Sequence, residues 1–452
     1  MPPSINRIFD YINRRSPILI HTPWVRNIGD CAEQIYYGLL KARRDGKKIV
    51  FLRQHELFWK FRIGVTNREL FDIESDYSAL PARGFWRYFG GWFLAIVFGT
   101  GRAVYLLYRK FLRMLHPLWP QSRLSPFRVW YTMPTIGFSA LWQPDGMESF
   151  SWDVVRSFQW EKQHDEFLSV RLADEKRHRA EQIRAAMGIP QSDWFVCLHV
   201  REAGFLRDGE RAAYRNASIQ NYFKGMQLVT DAGGWVVRLG DPSMTPLPSM
   251  ERVIDYPHTK FWCDLMDIYL VSECRFYLGT NSGPADVARL FQKAMVLTNI
   301  TEWSKLFPAR KGDLVIFKHL FSRSRNRFLS LSEISREPAG ECQIFPHPGE
   351  DYVFSENTAE EIRDVIEEFL DQPADYEYSE LQEAFNHARS VQIRRWIDEG
   401  VFWPHDAMED VIERYHFASR VDSVGGTVGQ RYLDQNWVED RMNVKNVRAQ
   451  EI

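Results

Sequence analysis

Leu278-Gly279-Thr280-Asn281-Ser282-Gly283-Pro284 is the stretch best equipped for chemistry, set between a strand-like run and a helix-like run. A Gly-rich turn at a helix start exposes backbone N–H groups and aims the positive end of the helix dipole at whatever sits there. The hydroxyls of Thr280 and Ser282 add donors, so a diphosphate is the natural ligand. The turn is neither a Walker A loop nor a dinucleotide fingerprint, because the Lys and the third Gly are missing. The alternative is a tight turn capped by Ser282. The phosphate reading is preferred because the loop leaves the carboxyl end of a strand, where such sheets bind ligands.

A second set is cationic. The apolar run Trp194–Val200 leads into His199-Val200-Arg201-Glu202, and the loop beyond carries Arg207, Arg211, Arg215 and Asn216. Arg238 closes the next strand-like run. Arginine binds phosphate oxygens in pairs and stays charged at any working pH. For one Arg at a strand end, an ion pair with Glu202 or Asp241 is the alternative; several on one edge point to an anion. Arg201 ranks first, Arg215 second and Arg238 third. The third set is Arg26-Asn27-Ile28-Gly29-Asp30, in the loop after the first strand. Asp30 at a helix start is either an N-cap or, facing another domain across a cleft, a base for an acceptor hydroxyl. His21 and Glu56 are weaker substitutes. Asp267 and Glu273 flank the helix ahead of the Gly279–Pro284 turn, where they reach a ribose or base or simply solvate that helix.

These residues need elements to hold them. Ile18–Ile20, a helix over Cys31–Arg44 and a strand over Lys48–Leu52 make a β–α–β opening, with Ala32, Ile35, Tyr36, Leu39 and Leu40 on one helix face. Arg128–Tyr131 is a further strand candidate. Val155–Met187 is charged and helical up to Gly188 and Pro190, which suggests a domain boundary there. The second half alternates more cleanly. Strands over Trp194–Val200, Trp235–Leu239, Val253-Ile254, Arg275–Leu278 and Ala294–Leu297 are separated by helices over Ile219–Asp231, Asp264–Ser272 and Ala285–Phe291. Ser218 is placed to cap the first of these helices and Gly233-Gly234 to end it. This spacing predicts a parallel sheet with crossovers. Thr358-x-x-Glu361 is a capping box opening a helix to Leu370. The predicted organisation is residues 1–190, residues 191–345 and a helical tail over 346–452.

The chain has 452 residues, 45% hydrophobic and 26% charged, which is a globular composition of two or three domains. Its 57 Lys and Arg nearly balance 59 Asp and Glu, which argues against a nucleic-acid partner. Five dispersed cysteines form no CxxC pair, so neither a disulfide framework nor a zinc site is expected. The N-terminal MPPSINRIFDYINRR lacks the apolar core of a signal peptide, and a cytoplasmic protein is expected. Phe85–Trp119 crowds aromatics with Arg83, Arg87, Arg102, Arg109, Lys110 and Arg113 around it. The uncharged run within this insertion (residues 83–120) is too short to span a bilayer. Trp92, Phe93 and Leu94 with Arg109 and Lys110 suit an interfacial helix on the inner membrane face; a buried helical pair or a contact between subunits of an oligomer is the alternative.

HVRE, then YRNASIQNY, GGWVVRLGD and DIYLVSECRFYLGTNSGP, together resemble a bacterial family of GT-B glycosyltransferases encoded with surface polysaccharide genes. The resemblance covers about residues 193–301. The His-x-Arg and Asn-Ser-Gly elements are also similar to those of fucosyltransferases that use GDP-fucose. Arg-x-x-Gly-Asp at Arg26–Asp30 is similar to the element of lipopolysaccharide heptosyltransferases in which the acidic residue is assigned the base role. The Gly-x-x-His loop of those enzymes is absent, with Pro284-Ala285-Asp286 in its place. The resemblance implies two Rossmann-like domains and transfer from a nucleotide-sugar, with a GDP-sugar slightly favoured, to a glycan or lipid-linked acceptor. It gives Asp30 the base role and Arg201, Arg215 and Ser282 the donor diphosphate. No convincing Asp-x-Asp is present, which fits a site that needs no metal or other cofactor. The alternatives are another sugar enzyme of the same architecture, or a non-catalytic sugar-nucleotide or glycan-binding partner of a membrane assembly complex.

Overall fold

The computed structural model describes residues 17–21, 28–51, 67–78, 168–202, 213–301, 310–334, 351–373, 375–399 and 425–437. The chain divides into two compact units, Met1–Ala173 with Trp403–Ser419 and Asp174–Phe402 with Arg420–Ile452. The interfacial segment 83–120, with Trp92, Phe93, Leu94, Arg109 and Lys110, lies outside the described residues, as do Arg26, Glu56, Arg207, Arg211 and the strand expected over Arg128–Tyr131. Among the described residues no helix is long and apolar enough to cross a membrane.

In the first unit, β1 (Ile18–His21) pairs in parallel with β2 (Lys48–Phe51), joined by α1 (Ile28–Arg44). The expected face of α1 is buried, with Ala32, Ile35 and Leu39 fully so. The helix starts earlier than its apolar spacing indicates, which brings Asp30 into its first turn. β3 (Ile73–Ser75) pairs antiparallel with β4 (Val170–Leu172). This corrects the continuous helix expected over Val155–Met187: Leu172 points inward and Arg171 outward, as strand alternation requires.

The second unit begins with α2 (Asp174–Ala186) rather than at the Gly188–Pro190 break. The reason is α2's own packing. Ala180 is fully buried, and Arg184 donates from Nη2 to the carbonyls of Pro190 (2.7 Å) and Asp193 (2.5 Å), which tethers α2 to the strand that follows.

That strand is β5 (Phe195–His199), followed by α3 (Phe223–Asp231), β6 (Trp235–Arg238), β7 (Val253–Asp255), α4 (Asp264–Glu273), β8 (Phe276–Gly279), α5 (Gly283–Leu290), β9 (Ala294–Ile300) and β10 (Leu314–Phe317). They form a parallel sheet ordered β14–β10–β9–β8–β5–β6–β7, in which β14 is Thr427–Val428. Every residue of β5 and β8 is buried, as expected of parallel strands covered on both faces. The chain runs outward from β5 to β7, returns past β5 to β8 and continues the other way. This is a doubly wound, Rossmann-like order with its switch point between β5 and β8.

The tail is not purely helical. A three-stranded antiparallel sheet sets β11 (His319–Ser322) between β12 (Arg327–Phe328) and β13 (Tyr352–Ser355), while β14 extends the parallel sheet. β12 pairs with its neighbour β11 as a hairpin, whereas β13 and β14 are strands because they pair with β11 and β10, far earlier in the chain. α6 (Ala359–Leu370) has the complete Thr358/Glu361 capping box. It packs on α3 at Gly225, where a Cβ would lie 2.5 Å from Ile366 Cδ1. Ser218 does not cap by side chain: a 3-10 turn over Ile219–Tyr222 precedes α3, and the Ser218 hydroxyl goes to the side chain of Gln220.

Candidate functional site

The loops after β5 and β8 leave the same sheet edge side by side. Gly279 makes their approach possible. Its φ is +148°, and an added Cβ would fall 2.0 Å from the carbonyl oxygen of His199. Thr280 donates its N–H to that oxygen (3.0 Å), and its Oγ1 accepts the N–H of Arg201 (3.1 Å). Thr280 is therefore a buried clamp between the two loops. Ser282 Oγ lies 2.8 Å from His199 Nδ1 and 3.3 Å from the Tyr277 hydroxyl. Ser282 is the N-cap residue of α5 but makes no side-chain cap, so its hydroxyl serves His199 instead of the first-turn N–H groups.

His199 is 7% exposed. Burial, then the positive charges of Arg238 and Arg201, pull its pKa down to about 4. At neutral pH the ring is uncharged, and it holds Ser282 as a neutral hydrogen-bond partner. The phenol of Tyr277 is pushed up by its own burial and stays protonated.

Arg201 reaches from the end of β5 to Asn216, donating from Nη1 to Oδ1, and its carbonyl accepts the N–H of Ala217 (3.0 Å). Arg201 and Asn216 thus belong to one cluster with Thr280, Ser282 and His199. Arg215, in the same loop, has its guanidinium 5.8 Å from the ring centre of Tyr214. Asn281 and Gly283 are half-buried beside Ser282.

Arg238 occupies a different place from the one its sequence position suggests. It is fully buried; Nη2 donates to Glu202 Oε1 (2.6 Å), and Nη1 donates to Asp255 Oδ1 (3.0 Å) and the carbonyl of Thr245 (2.7 Å). The carboxylates that meet it are Glu202, one of the two anticipated partners, and Asp255. Arg238 therefore ties the loop after β6 to the ends of β5 and β7, and acts on the cluster through its charge on His199.

Both acidic alternatives are engaged by partners outside the Gly279–Pro284 turn. Asp267 Oδ1 accepts the Tyr256 hydroxyl (2.9 Å), and burial pushes its pKa up to about 7. Glu273 stands 3.6 Å from Arg177 of α2. Asp30 lies in α1, in the other unit, with its side chain outside the description; the same holds for the side chain of His21. Among the described residues no group of His, Cys, Asp or Glu is clustered to hold a metal ion.

Two participants escaped the sequence reading. Lys318, directly after β10, donates from Nζ to the carbonyl of Asn216 (2.5 Å). Glu356, after β13, accepts the N–H of Ser218 (2.7 Å) and the side-chain amide of Asn221 (3.2 Å) through Oε2. Neither sits in a motif, and only the fold brings them to the loop after β5.

No protein-family profile matches this sequence, and no curated protein does. Among solved structures the chain is similar to a glycosyl transferase family 9 protein from Veillonella parvula DSM 2008, with 13% identity and a TM-score of 0.22. The match covers 29% of this chain and 37% of that one, so it spans just over a third of its neighbour's length. A likeness at that score carries no argument. What stands is the site itself: a hydroxyl, a neutral imidazole and an arginine gathered at the switch point of a doubly wound sheet.

Proposed function

We propose that the chain is a GT-B-type glycosyltransferase that takes a nucleotide-sugar donor on its second unit and needs no metal. The observation that carries this reading is the placement of Arg201, Thr280 and Ser282 at the β5/β8 switch point, where open α/β sheets bind phosphorylated ligands. Arg201 supplies the charge, and the uncapped start of α5 supplies N–H groups for the diphosphate. Arg215, Asn216, Asn281 and Gly283 line the same turns. Asp30 is the residue we assign to proton removal from the acceptor hydroxyl, a glycan or lipid-linked sugar of surface polysaccharide synthesis. The aromatic and basic segment 83–120 is the part we assign to contact with an anionic inner-leaflet surface. A titration tests the core of this reading. GDP, UDP, CMP and ADP are each added while the melting temperature is followed, since a ligand of the native state raises it. One nucleotide diphosphate is expected to raise it, and Arg201→Ala to remove the shift. Wild type that responds to none of the four overturns the reading. Slow release of free nucleotide from the donor sugar then separates an enzyme from a binding partner.

A further inference from the structure

Two buried cations stand at the carboxyl edge of the parallel sheet, and the protein treats them oppositely. Arg238 is 0% exposed and holds two carboxylates. Lys318 is 4% exposed, and among the described residues no carboxylate stands within ion-pair distance of it. Its backbone N–H is fixed to the carbonyl of Ile300 at the end of β9 (2.9 Å), so it leaves the same edge as the β5 and β8 loops. Among the described residues its ammonium makes one hydrogen bond, to Asn216. Glu356 lends it support only through its charge, being committed to Ser218 and Asn221. Burial pulls the ammonium's pKa below the ordinary lysine value. An ammonium carries three donors, and burying a charge without a counter-ion is costly. A buried ammonium without a counter-ion beside a polar cluster is a candidate partner for an incoming anion.

Asn216 sets the spacing. Arg201 bonds its side-chain oxygen and Lys318 its backbone oxygen, so the two cations flank a single residue. We infer that Lys318 binds the terminal phosphate of a nucleoside diphosphate, while Arg201 and the start of α5 hold the inner phosphate. This deepens the nucleotide-binding reading above and rests on it.

The test compares GDP with GMP, and pyrophosphate with phosphate, by calorimetric titration of the full chain. Wild type is expected to bind the two-phosphate member of each pair about tenfold or more tightly, one charge-assisted contact being worth that much. Lys318→Met should bring GDP down to the affinity of GMP while leaving GMP unchanged, which also shows that the fold survives. Lys318→Arg should keep most of the preference. A Lys318→Met protein that binds GMP normally and still prefers GDP by the wild-type ratio overturns the inference alone. If Lys318→Met loses both ligands, the arginine variant decides: GDP binding kept by Arg supports the inference, and equal loss in both overturns it. If UDP or ADP is the diphosphate that raises the melting temperature, it and its monophosphate replace GDP and GMP; wild type that binds neither member of either pair overturns the nucleotide reading, and this inference with it.

Discussion

Ser282 Oγ lies 2.8 Å from His199 Nδ1, across 83 residues of chain, and this hydrogen bond joins the turn before α5 to the end of β5. Because burial and two arginines keep the imidazole neutral, the contact is made between uncharged groups at working pH. Ser282 is thereby spent on orientation rather than on capping its own helix. A double-mutant cycle on GDP binding tests this. Ser282→Ala is expected to weaken binding about threefold to tenfold, the worth of one neutral hydrogen bond. His199→Ala should add little on top of it, because the ring acts through the serine. Fully additive effects would show two independent contacts.

Gly279 is the second point of the junction. An alanine there puts a methyl group into the carbonyl of His199, at a φ that L-residues avoid. Gly279→Ala should cost at least about 3 kcal/mol in urea denaturation, from strain and the displaced β5 end together. A variant of wild-type stability would mean the two loops do not approach as described.

Arg238 is predicted to be a stability residue. Arg238→Met strands Glu202 and Asp255, and breaking a buried pair in this way costs about 3–5 kcal/mol. Chemical denaturation measures it. An Arg238→Met protein that is as stable as wild type but blind to nucleotide would return the arginine to the ligand site.

His199 should leave a pH signature of definite sign. Its pKa is about 4 in the fold against 6.5 for an ordinary histidine, so between those values the folded state binds fewer protons than the unfolded one. The stability it contributes is complete above pH 6.5 and is lost as the pH falls through 4, an effect of order 3 kcal/mol. Asp267 and Asp313, both pushed up to about 7 by burial, work in the opposite sense, since the folded state there binds more protons as the pH rises from the ordinary carboxylate range. The whole-protein curve is therefore a composite. The informative quantity is the stability difference between wild type and His199→Asn, which should be largest at pH 7 and shrink toward pH 4. A difference that does not change with pH would rule out a neutral buried ring.

Much of this site was legible along the chain, because its parts are short-range. The all-apolar run of β5, the spacing of Ala32, Ile35 and Leu39 on α1, and the Thr358/Glu361 capping box each follow from neighbours within a few residues. Arg201, Asn216, Thr280 and Ser282 were likewise visible, since a strand that ends in a polar or Gly-rich turn announces where its loop points. The same logic failed for the short strands β4, β13 and β14, whose few residues have no periodicity strong enough to oppose a helical or irregular reading.

Arg238 and Lys318 mark the limit. Both are single cations at the ends of apolar strands, and nothing local distinguishes them. Sequence alone determined that strands and helices alternate and that a Gly-rich turn follows β8, because backbone propensity and side-chain periodicity act over a turn or two. Tertiary structure decided the strand order that sets β5 beside β8, the carboxylates that surround Arg238, and the absence of any within reach of Lys318 among the described residues. The partners of a buried charge come from wherever the sheet brings them: Asp255 from 17 residues away, Glu202 from 36 and the Asn216 carbonyl from 102. In a buried environment those partners, and not the residue type, fix how fully a cation's charge is met.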